Sequence, residues 1–226
     1  MIITYYGHSC FKIETKPGGR GAGERLNIYI DPFDSSVGLK SPSGKADLVL
    51  VTHDHHDHNN IKGLRGDYFL VNHPGEYTYR GISIAGFKTY HDSSSGTERG
   101  LNAVYLIESE DIKVAHLGDL GHPLDKDQME NMEGIDILMV PVGGIYTLSI
   151  KEVVELIKIL EPAMIIPMHY KSEKTAIDDL KPASDFYAAW GKSPEGLTGK
   201  LVLKKNQIKE GEMAVIEMAI GNGNGN

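Results

Sequence analysis

The sequence predicts a protein of the α+β (α/β) class, in which two β-sheets pack together and helices cover them. Short runs rich in β-branched and aromatic residues dominate the first half of the chain, and such runs are typical of strands. Strand and helix patterns alternate in the second half, which adds helices outside the sheets. The 226 residues suit one large domain better than two small ones, so residues 1–220 are expected to form a single domain.

The strands predicted in the first half are short and are bounded by turn residues. They span residues 2–6, 10–15, 26–30, 46–51, 68–71, 82–90, 103–108 and 112–117. The run at 46–51 is continuously apolar, which indicates a buried strand. The Pro- and Gly-rich residues 17–23 predict a surface connection between strands, because no strand-to-helix context for a phosphate-binding loop follows them.

Helices enter the pattern in the second half. Residues 149–160 predict an amphipathic helix with Ser149 as its N-cap. Residues 174–190 predict a second helix, interrupted near Pro182. Further strands are predicted over residues 136–140, 163–167, 200–203 and 213–218. The Gly/Asn repeat at 221–226 predicts a disordered tail.

Composition and charge exclude several classes of protein. There are 31 acidic and 23 basic residues, a net charge of −8, which makes nucleic acid an unlikely partner because such binding depends on Lys and Arg at phosphates. The chain has one cysteine, Cys10, so neither an internal disulfide nor a thiolate metal cage is expected. The N-terminus does not resemble a signal peptide, and no apolar run reaches the roughly 18 residues of a membrane span. We therefore predict a cytoplasmic protein without a membrane partner.

The strongest chemical signal is His53-x-His55-x-Asp57-His58, which follows the strand predicted at 46–51. In extended backbone, side chains two residues apart point the same way, so His53 and His55 can converge on one metal ion. A turn after His55 would let Asp57 and His58 reach a second ion nearby. On a helix the first two imidazoles would diverge, so the motif is expected in a loop at a strand end.

Two metal ions need further ligands, and three residues at the ends of predicted strands are suited to supply them. His91 follows the strand at 82–90, and His169 follows the strand at 163–167. Asp119 lies between Gly118 and Gly121, where the backbone can turn sharply and one carboxylate could bridge two ions. His116 is an alternative third ligand, but it precedes Asp119 within a strand and is better suited to a supporting role.

These residues, in this order, resemble the metallo-β-lactamase-fold hydrolases. Further segments make the chain similar to the branch that contains ascorbate phosphate lactonase and uncharacterised Zn-dependent hydrolases; they are Tyr6-Gly7-His8-Ser9-Cys10-Phe11, Asp31-Pro32-Phe33, Pro74-Gly75-Glu76-Tyr77, Pro141-Val142-Gly143-Gly144 and Pro167-Met168-His169-Tyr170. The resemblance spans nearly the whole chain. It implies a four-layer αββα sandwich with the site along one edge, between the sheets.

The resemblance also implies how the ligands divide. His53, His55 and His91 would hold the first metal ion, and Asp57, His58 and His169 the second, with Asp119 bridging both. It places the turn at His8 near the site, where His8 joins Asp57 and Asp119 as a candidate catalytic residue, a structural role being the alternative. Asp31 is a candidate to orient a ligand histidine.

The expected activity is metal-dependent hydrolysis of an ester, lactone or phosphodiester bond in a small, in some cases phosphorylated, substrate. A hydroxide bridging two metal ions would attack, since paired ions lower the pKa of water. Zinc is favoured by the imidazole-rich, thiolate-free ligands, with manganese or iron as alternatives. A homo-oligomer is compatible with the sequence. The competing hypotheses are a mononuclear iron dioxygenase and a non-catalytic metal-binding or regulatory protein on the same fold.

Overall fold

Two large β-sheets make up most of the protein in the computed structural model, which describes residues 1–16 and 23–221. The loop predicted at 17–23 and the tail predicted at 221–226 lie outside the described residues, except for Gly23 and Gly221. Both predictions therefore stay untested.

Most predicted strands are confirmed, with boundaries that move by one or two residues. In chain order the described strands are β1 (Ile2–Gly7), β2 (Cys10–Thr15), β3 (Leu26–Ile30), β4 (Gly44–Lys45), β5 (Leu48–Leu50), β6 (Leu64–Arg65), β7 (Phe69–Val71), β8 (Gly75–Tyr79), β9 (Ile82–Tyr90), β10 (Leu101–Ser109), β11 (Ile112–His116), β12 (Ile137–Pro141), β13 (Met164–Met168), β14 (Leu197–Thr198), β15 (Leu201–Val202), β16 (Ala214–Val215) and β17 (Glu217–Met218). The α-helices are α1 (Lys126–Asn131), α2 (Ile150–Leu160) and α3 (Ala183–Trp190).

Both large sheets combine antiparallel and parallel strands. The first has the order β15-β1-β2-β3-β5-β7, and the second has the order β16-β13-β12-β11-β10-β9-β8. Within the first sheet β3, β5 and β7 are parallel. Within the second, β11, β12, β13 and β16 are parallel. Because parallel strands end at the same edge of a sheet, the loops after β5, β11 and β13 are brought to common edges.

The central core lies between the two sheets. Alternate side chains of β1, β2 and β3 meet alternate side chains of β10, β11 and β12 in one buried cluster. This is expected when one face of each sheet points inward. Tyr105 is fully buried within this cluster, and its hydroxyl donates to the carbonyl of Val51 at 3.0 Å. That bond fixes the second sheet to the strand end of β5, where the histidine-rich loop begins.

A helical layer covers the outer face of the second sheet. The apolar face of α2 presents Val153, Leu156 and Ile157 to a buried cluster that includes the outward side chains of β11 and β12. The predicted N-cap is confirmed, since Ser149 and Glu152 form a reciprocal capping box. Phe186 of α3 completes this cluster.

The outer face of the first sheet is covered differently. There Tyr29, Phe33 and Val49 are buried in a third cluster, which is closed by the segment 31–47, including the 3-10 helix Ser35–Val37. The layer over this sheet is therefore loop and 3-10 helix within the described residues. The predicted stack of two sheets with covering layers on both outer faces is otherwise the architecture observed.

The helix predicted over 174–190 is wrong for its first half. Only Ala183–Trp190 is α-helical, and Pro182 is the N-cap of that helix, in keeping with the bias of pre-proline residues away from helix. Upstream, the ammonium of Lys171 donates to the carbonyls of Thr175 at 2.8 Å and Ile177 at 3.2 Å. Those two carbonyls thus accept hydrogen bonds from a side chain and not from the backbone N–H groups of a helix.

Several other elements differ from the sequence prediction. The strand at 46–51 narrows to β5 because the chain bends at Asp47, whose carboxylate accepts the backbone N–H of Asn27 at 2.9 Å. The strand at 213–218 divides into β16 and β17, which join different sheets. Strands β4, β6, β8 and β14 and helix α1 were not predicted. None of the described helices is long and apolar enough to cross a membrane, and the cytoplasmic location stays a prediction.

Two isoleucines of α2 test the packing of the helical layer. Ile157 is fully buried, whereas Ile159 is 61% exposed. We expect Ile157→Ala to lower the free energy of unfolding by about 2–5 kcal/mol through lost contacts and a cavity. Ile159→Ala should change it by less than about 0.5 kcal/mol. Urea unfolding followed by circular dichroism measures both, and equal losses in the two variants would contradict the assignment of the buried face.

Candidate metal centre

The histidine-rich loop starts directly after β5 and turns where the sequence predicts. The backbone N–H groups of His58 and Asn59 both donate to the carbonyl of His55, at 2.9 and 3.0 Å. This turn separates His53 and His55 from Asp57 and His58. The remaining predicted residues arrive at the same edge from other strand ends: His8 between β1 and β2, His91 after β9, Asp119 after β11, and His169 after β13.

The first cluster consists of His53, His55 and His91. Each offers one nitrogen, and the three nitrogens lie within 4.8 Å of one another. The imidazole of His53 donates from Nδ1 to the hydroxyl of Thr52 at 2.9 Å, which leaves its Nε2 free to bind. That buried Nε2 has no hydrogen-bond partner among the described residues. The sequence prediction that these three imidazoles meet is thus matched by their positions.

The second cluster contains His8 in addition to the predicted His58 and His169. One nitrogen of each of these three also lies within 4.8 Å of the others. His8 Nε2 lies 3.1 Å from His58 Nε2 and 3.1 Å from Asp57 Oδ2. Asp57 stands at the side of this cluster, with its Oδ2 3.8 Å from His58 Nε2. The geometry therefore adds His8 to the candidate ligands. The sequence pattern alone did not assign this role to it.

Asp119 lies between the two clusters. Its Oδ2 is 3.2 Å from Nε2 of His91, 3.3 Å from Nε2 of His58 and 3.0 Å from Nε2 of His169. Its other oxygen, Oδ1, is buried and has no hydrogen-bond partner in the described part of the chain. One carboxylate thus touches members of both histidine groups, as a bridging ligand must.

The protonation equilibria of the site are strongly coupled. Burial raises the pKa of Asp119, but His169 and His58 outweigh it and hold that pKa well below its usual range. Burial acts to lower the pKa of His58, but Asp119 and Asp31 raise it well above the usual range. Burial, together with the neighbouring His169, lowers the pKa of His8 to about 4. Burial also lowers the pKa of His53 to about 2. His8 and His53 are therefore neutral near pH 7, which is the form that binds a metal ion.

Asp31 orients two of the candidate ligands at once. Its carboxylate is fully buried and accepts the Nδ1–H of His58 at 2.9 Å and the hydroxyl of Thr52 at 2.7 Å. Since Thr52 in turn accepts from Nδ1 of His53, both imidazoles carry a proton on Nδ1, which leaves Nε2 to face the other candidate ligands. These contacts match the expectation that Asp31 orients a candidate ligand histidine.

Asn102 and Gly118 position Asp119; the turn at Gly118 was predicted, whereas the role of Asn102 was not. The side chain of Asn102 donates to the carbonyl of Leu117 at 2.9 Å and accepts the N–H of Asp119 at 3.0 Å. Gly118 has φ +54, and a Cβ there would lie 2.4 Å from Asn102 Oδ1. A larger residue would therefore push Asp119 away. Asn102 lies just before the strand predicted at 103–108, and no sequence pattern singled it out.

Three residues of the site have left-handed backbone conformations. The φ values are 55° at His8, 46° at Asp31 and 50° at His169, a region that non-glycine residues seldom occupy. Two buried bonds hold the first turn, because the carbonyl of His8 accepts the N–H of His169 at 2.7 Å and the hydroxyl of Tyr5 at 2.8 Å. Backbone strain of this kind is typical of functional sites, where the surrounding structure maintains it.

The other histidines take no part in either cluster. His116 is buried, with Nε2 2.9 Å from the carbonyl of Ser9 and Nδ1 accepting the N–H of Gly118. His56 and His73 are exposed. His122 accepts the N–H of Tyr90 at 3.1 Å. The preference for His91 over His116 as a candidate ligand therefore agrees with their positions.

The donor set fits divalent metal ions. Six imidazoles and the carboxylates of Asp57 and Asp119 gather in a volume where Nδ1 of His8, His91 and His169 also has no hydrogen-bond partner among the described residues. Buried polar atoms without partners cost about 1–3 kcal/mol each, and native proteins contain few of them. Ligation of cations explains why so many gather here. Cys10 is buried in the third core cluster, so no thiolate joins them.

A two-sheet sandwich with this histidine and aspartate cluster at one edge defines a metallohydrolase-like protein. Residues 2–169 match the family model described as the beta-lactamase superfamily domain. The chain belongs to this family. The predicted membership of the metallo-β-lactamase superfamily and its fold is therefore confirmed.

Named relatives agree with this assignment. The chain is 30% identical to the UPF0173 metal-dependent hydrolase of Staphylothermus marinus and 28% identical to that of Thermoplasma acidophilum, with 76% of this chain and 84% of each relative covered. It is 35% identical to a proposed Zn-dependent hydrolase of the superfamily from Thermotoga maritima, whose crystal structure matches with a TM-score of 0.74 over 96% of this chain and 99% of that one. The prediction of an enzyme, a metal-dependent hydrolase, is confirmed at this general level.

The network around Asp31 can be tested through metal affinity. We expect Asp31→Ala to lower the affinity for zinc about 10–100-fold, because His58 loses the acceptor of its Nδ1–H and Thr52 loses the acceptor that orients its hydroxyl toward His53. Thr52→Val is nearly isosteric and should weaken binding less, since only the link to His53 is removed. Competition with a chromophoric chelator measures both.

Asp54→Ala is the matched control, because Asp54 lies in the same loop but is exposed. Circular dichroism establishes that each variant is folded. If folded Asp31→Ala and Thr52→Val both bind zinc as tightly as the unchanged protein, the orienting role is wrong.

Proposed function

We propose that the protein hydrolyses an ester, lactone or phosphodiester bond of a small substrate, using two divalent metal ions. The observation that carries this proposal is the position of Asp119 Oδ2, within 3.3 Å of nitrogens from both histidine clusters. A carboxylate shared between two groups of ligands is what a pair of adjacent ions requires. Neither a lone histidine-rich loop nor a single three-histidine site would need it.

The ligand types favour zinc. His53, His55 and His91 would hold one ion, and His58 and His169 would hold the other together with Asp57, His8 or both. Imidazole nitrogen is a common zinc ligand, and sites with three protein ligands leave a position open for chemistry. Manganese and iron also accept imidazole and carboxylate ligands, so they remain the alternatives.

The protein residues around the ions have separable tasks. When bound, a pair of divalent ions lowers the pKa of water and stabilises negative charge that develops on the substrate. Asp57 lines the cavity, and where His8 is not a ligand its Nε2–H donates to Asp57 Oδ2 over 3.1 Å. Its Oδ1 is then the oxygen available to take a proton from water, so Asp57 is the candidate general base. His8 holds that carboxylate in place, and Asp119 maintains the spacing of the two histidine clusters.

The size of the cavity and the net charge of the chain both suit a small-molecule substrate. The cavity above the clusters has a volume of about 320 Å³, at the low end of small-molecule pockets. The net charge of −8 disfavours a nucleic-acid substrate. A homo-oligomer stays a prediction.

Substitution of the bridging and first-cluster residues should remove activity. We expect Asp119→Asn and His55→Ala to reduce hydrolysis to the background rate, because the first loses the shared carboxylate and the second loses a ligand of the first ion. Activity is measured over a panel of phosphodiester, lactone and thioester substrates with zinc, manganese or iron present. His73→Ala, at an exposed loop histidine outside both clusters, should leave the rate unchanged. Full activity in either site variant would refute the proposal.

Metal removal tests the cofactor separately from the substrate. We expect elemental analysis of the purified protein to find two ions per chain, because each cluster supplies three ligands. Dialysis against a chelator should abolish hydrolysis and lower the melting temperature, since ions that bind only the folded state stabilise it by mass action. Adding zinc back should restore both. Undiminished hydrolysis by metal-free protein would contradict the mechanism.

A further inference from the structure

The loop that follows His91 is folded around one carboxylate. Asp92 is buried, and its two oxygens accept four backbone N–H groups: those of Ser94 and Gly96 at 2.8 Å each, of Glu98 at 3.1 Å, and of Arg99 at 2.8 Å. A carboxylate with four charge-assisted bonds holds a loop firmly. The loop therefore keeps the backbone of Arg99 in a defined position relative to His91.

A second hydrogen bond fixes the position of this loop relative to His91. The N–H of His91 donates to the carbonyl of Gly100 at 3.1 Å. Arg99 is thus held from both sides, by Asp92 and through Gly100, next to a candidate metal ligand. A residue placed so firmly beside a catalytic cluster can recognise a substrate with little loss of conformational entropy.

The side chain of Arg99 extends along the wall of the same cavity that contains His55, Asp119 and His169. Its guanidinium lies over the ring of Tyr146, 5.4 Å from the ring centre. The hydroxyl of Tyr146 donates to Asp179 at 2.8 Å, which holds the ring in turn. The guanidinium is therefore supported from below by a fixed aromatic surface.

The hydrogen-bonding capacity of this guanidinium is largely unused. Within the described residues, its nearest carboxylate is that of Glu98 at 3.7 Å, and Glu98 is itself exposed. An exposed ion pair of that length contributes little. Arginine presents five N–H donors in a planar fork that matches carboxylate and phosphate oxygens. Among the described residues that line the cavity, Arg99 is the one permanently cationic side chain.

We propose that Arg99, supported by Tyr146, binds an acidic group of the substrate, a carboxylate or phosphate separate from the bond that is cleaved. The substrate class is then a small ester, lactone or phosphodiester that carries a second, anionic group. This inference rests on the proposed function for the reaction but adds the group that selects the substrate. Arg99 touches the substrate away from the reacting atoms and is therefore a specificity residue.

Arg80 provides a matched control, because its guanidinium also stacks on a tyrosine ring but lies outside the cavity. Its guanidinium lies over Tyr79, 5.2 Å from the ring centre, in the turn that joins β8 to β9. This turn is at the opposite end of β9 from His91, roughly 26 Å away for eight residues of strand. Arg80→Gln removes the same charge and the same kind of stack, but outside the cavity.

The test compares two esters of equal length on the zinc-loaded protein. Mono-4-nitrophenyl adipate carries a free carboxylate, and 4-nitrophenyl hexanoate does not. We expect the ratio of kcat/KM values, anionic over neutral, to fall about tenfold or more in Arg99→Gln, the size of a lost charge-assisted pair. Arg99→Lys should show an intermediate ratio, because charge is kept but the fork is lost. Arg80→Gln should keep the ratio of the unchanged protein. An unaltered ratio in Arg99→Gln would overturn the proposal.

A binding experiment separates this proposal from the proposed function. Adipamate and butyl phosphate are titrated calorimetrically into zinc-loaded protein, and no turnover is needed. We expect Arg99→Gln to raise the Kd of at least one ligand about tenfold or more, and the ligand more affected identifies the preferred acid group. If this loss is seen but neither these esters nor any substrate of the phosphodiester, lactone and thioester panel is hydrolysed, the hydrolytic proposal fails and the anion subsite stands. If both ligands bind Arg99→Gln as tightly as they bind Arg80→Gln, the anion subsite is wrong.

Discussion

A buried carboxylate surrounded by imidazoles is the constraint on which the rest of this structure depends. Asp119 is 2% exposed, and its Oδ2 lies 3.0–3.3 Å from the nitrogens of three histidines that come from separate parts of the chain. A buried carboxylate is costly without charged or hydrogen-bonding partners. The loops after β5, β9 and β13 must therefore meet at this point, and they can do so because the two sheets bring their strand ends to one edge.

Asp31 and Asn102 fix the orientation of the candidate ligands that meet at this point. Asp31 acts on His58 directly and on His53 through Thr52, so a single fully buried acid fixes the tautomers of histidines in both clusters. Asn102 performs the corresponding task for the backbone of Asp119. Because these contacts cross between elements far apart in sequence, the geometry of the site depends on the packing of both sheets. This is the arrangement by which outer contacts tune metal sites in general.

A loop and a pair of stacked side chains lie at the same edge of the sheets. The loop around Asp92 and the stack of Arg99 on Tyr146 lie over the clusters, and they are built from loop residues whose placement the sheets do not dictate. The strand ends thus position the candidate metal ligands, whereas the residues proposed to recognise the substrate lie in loops, as is common for sites on rigid scaffolds.

The sequence by itself determined the class of fold and most of the candidate site. The strands with strong β-branched patterns were predicted closely, and the spacing of His53, His55, Asp57 and His58 indicated a loop with a turn after His55, as observed. Local order carries such information because periodicity and turn chemistry act between near neighbours. Only the tertiary structure decided that His8 joins His58 and His169, that Asn102 holds Asp119, and that residues 174–182 are not helical, with Lys171 donating to the carbonyls of Thr175 and Ile177. Those outcomes arise from contacts that mostly join separate elements, which no local pattern encodes.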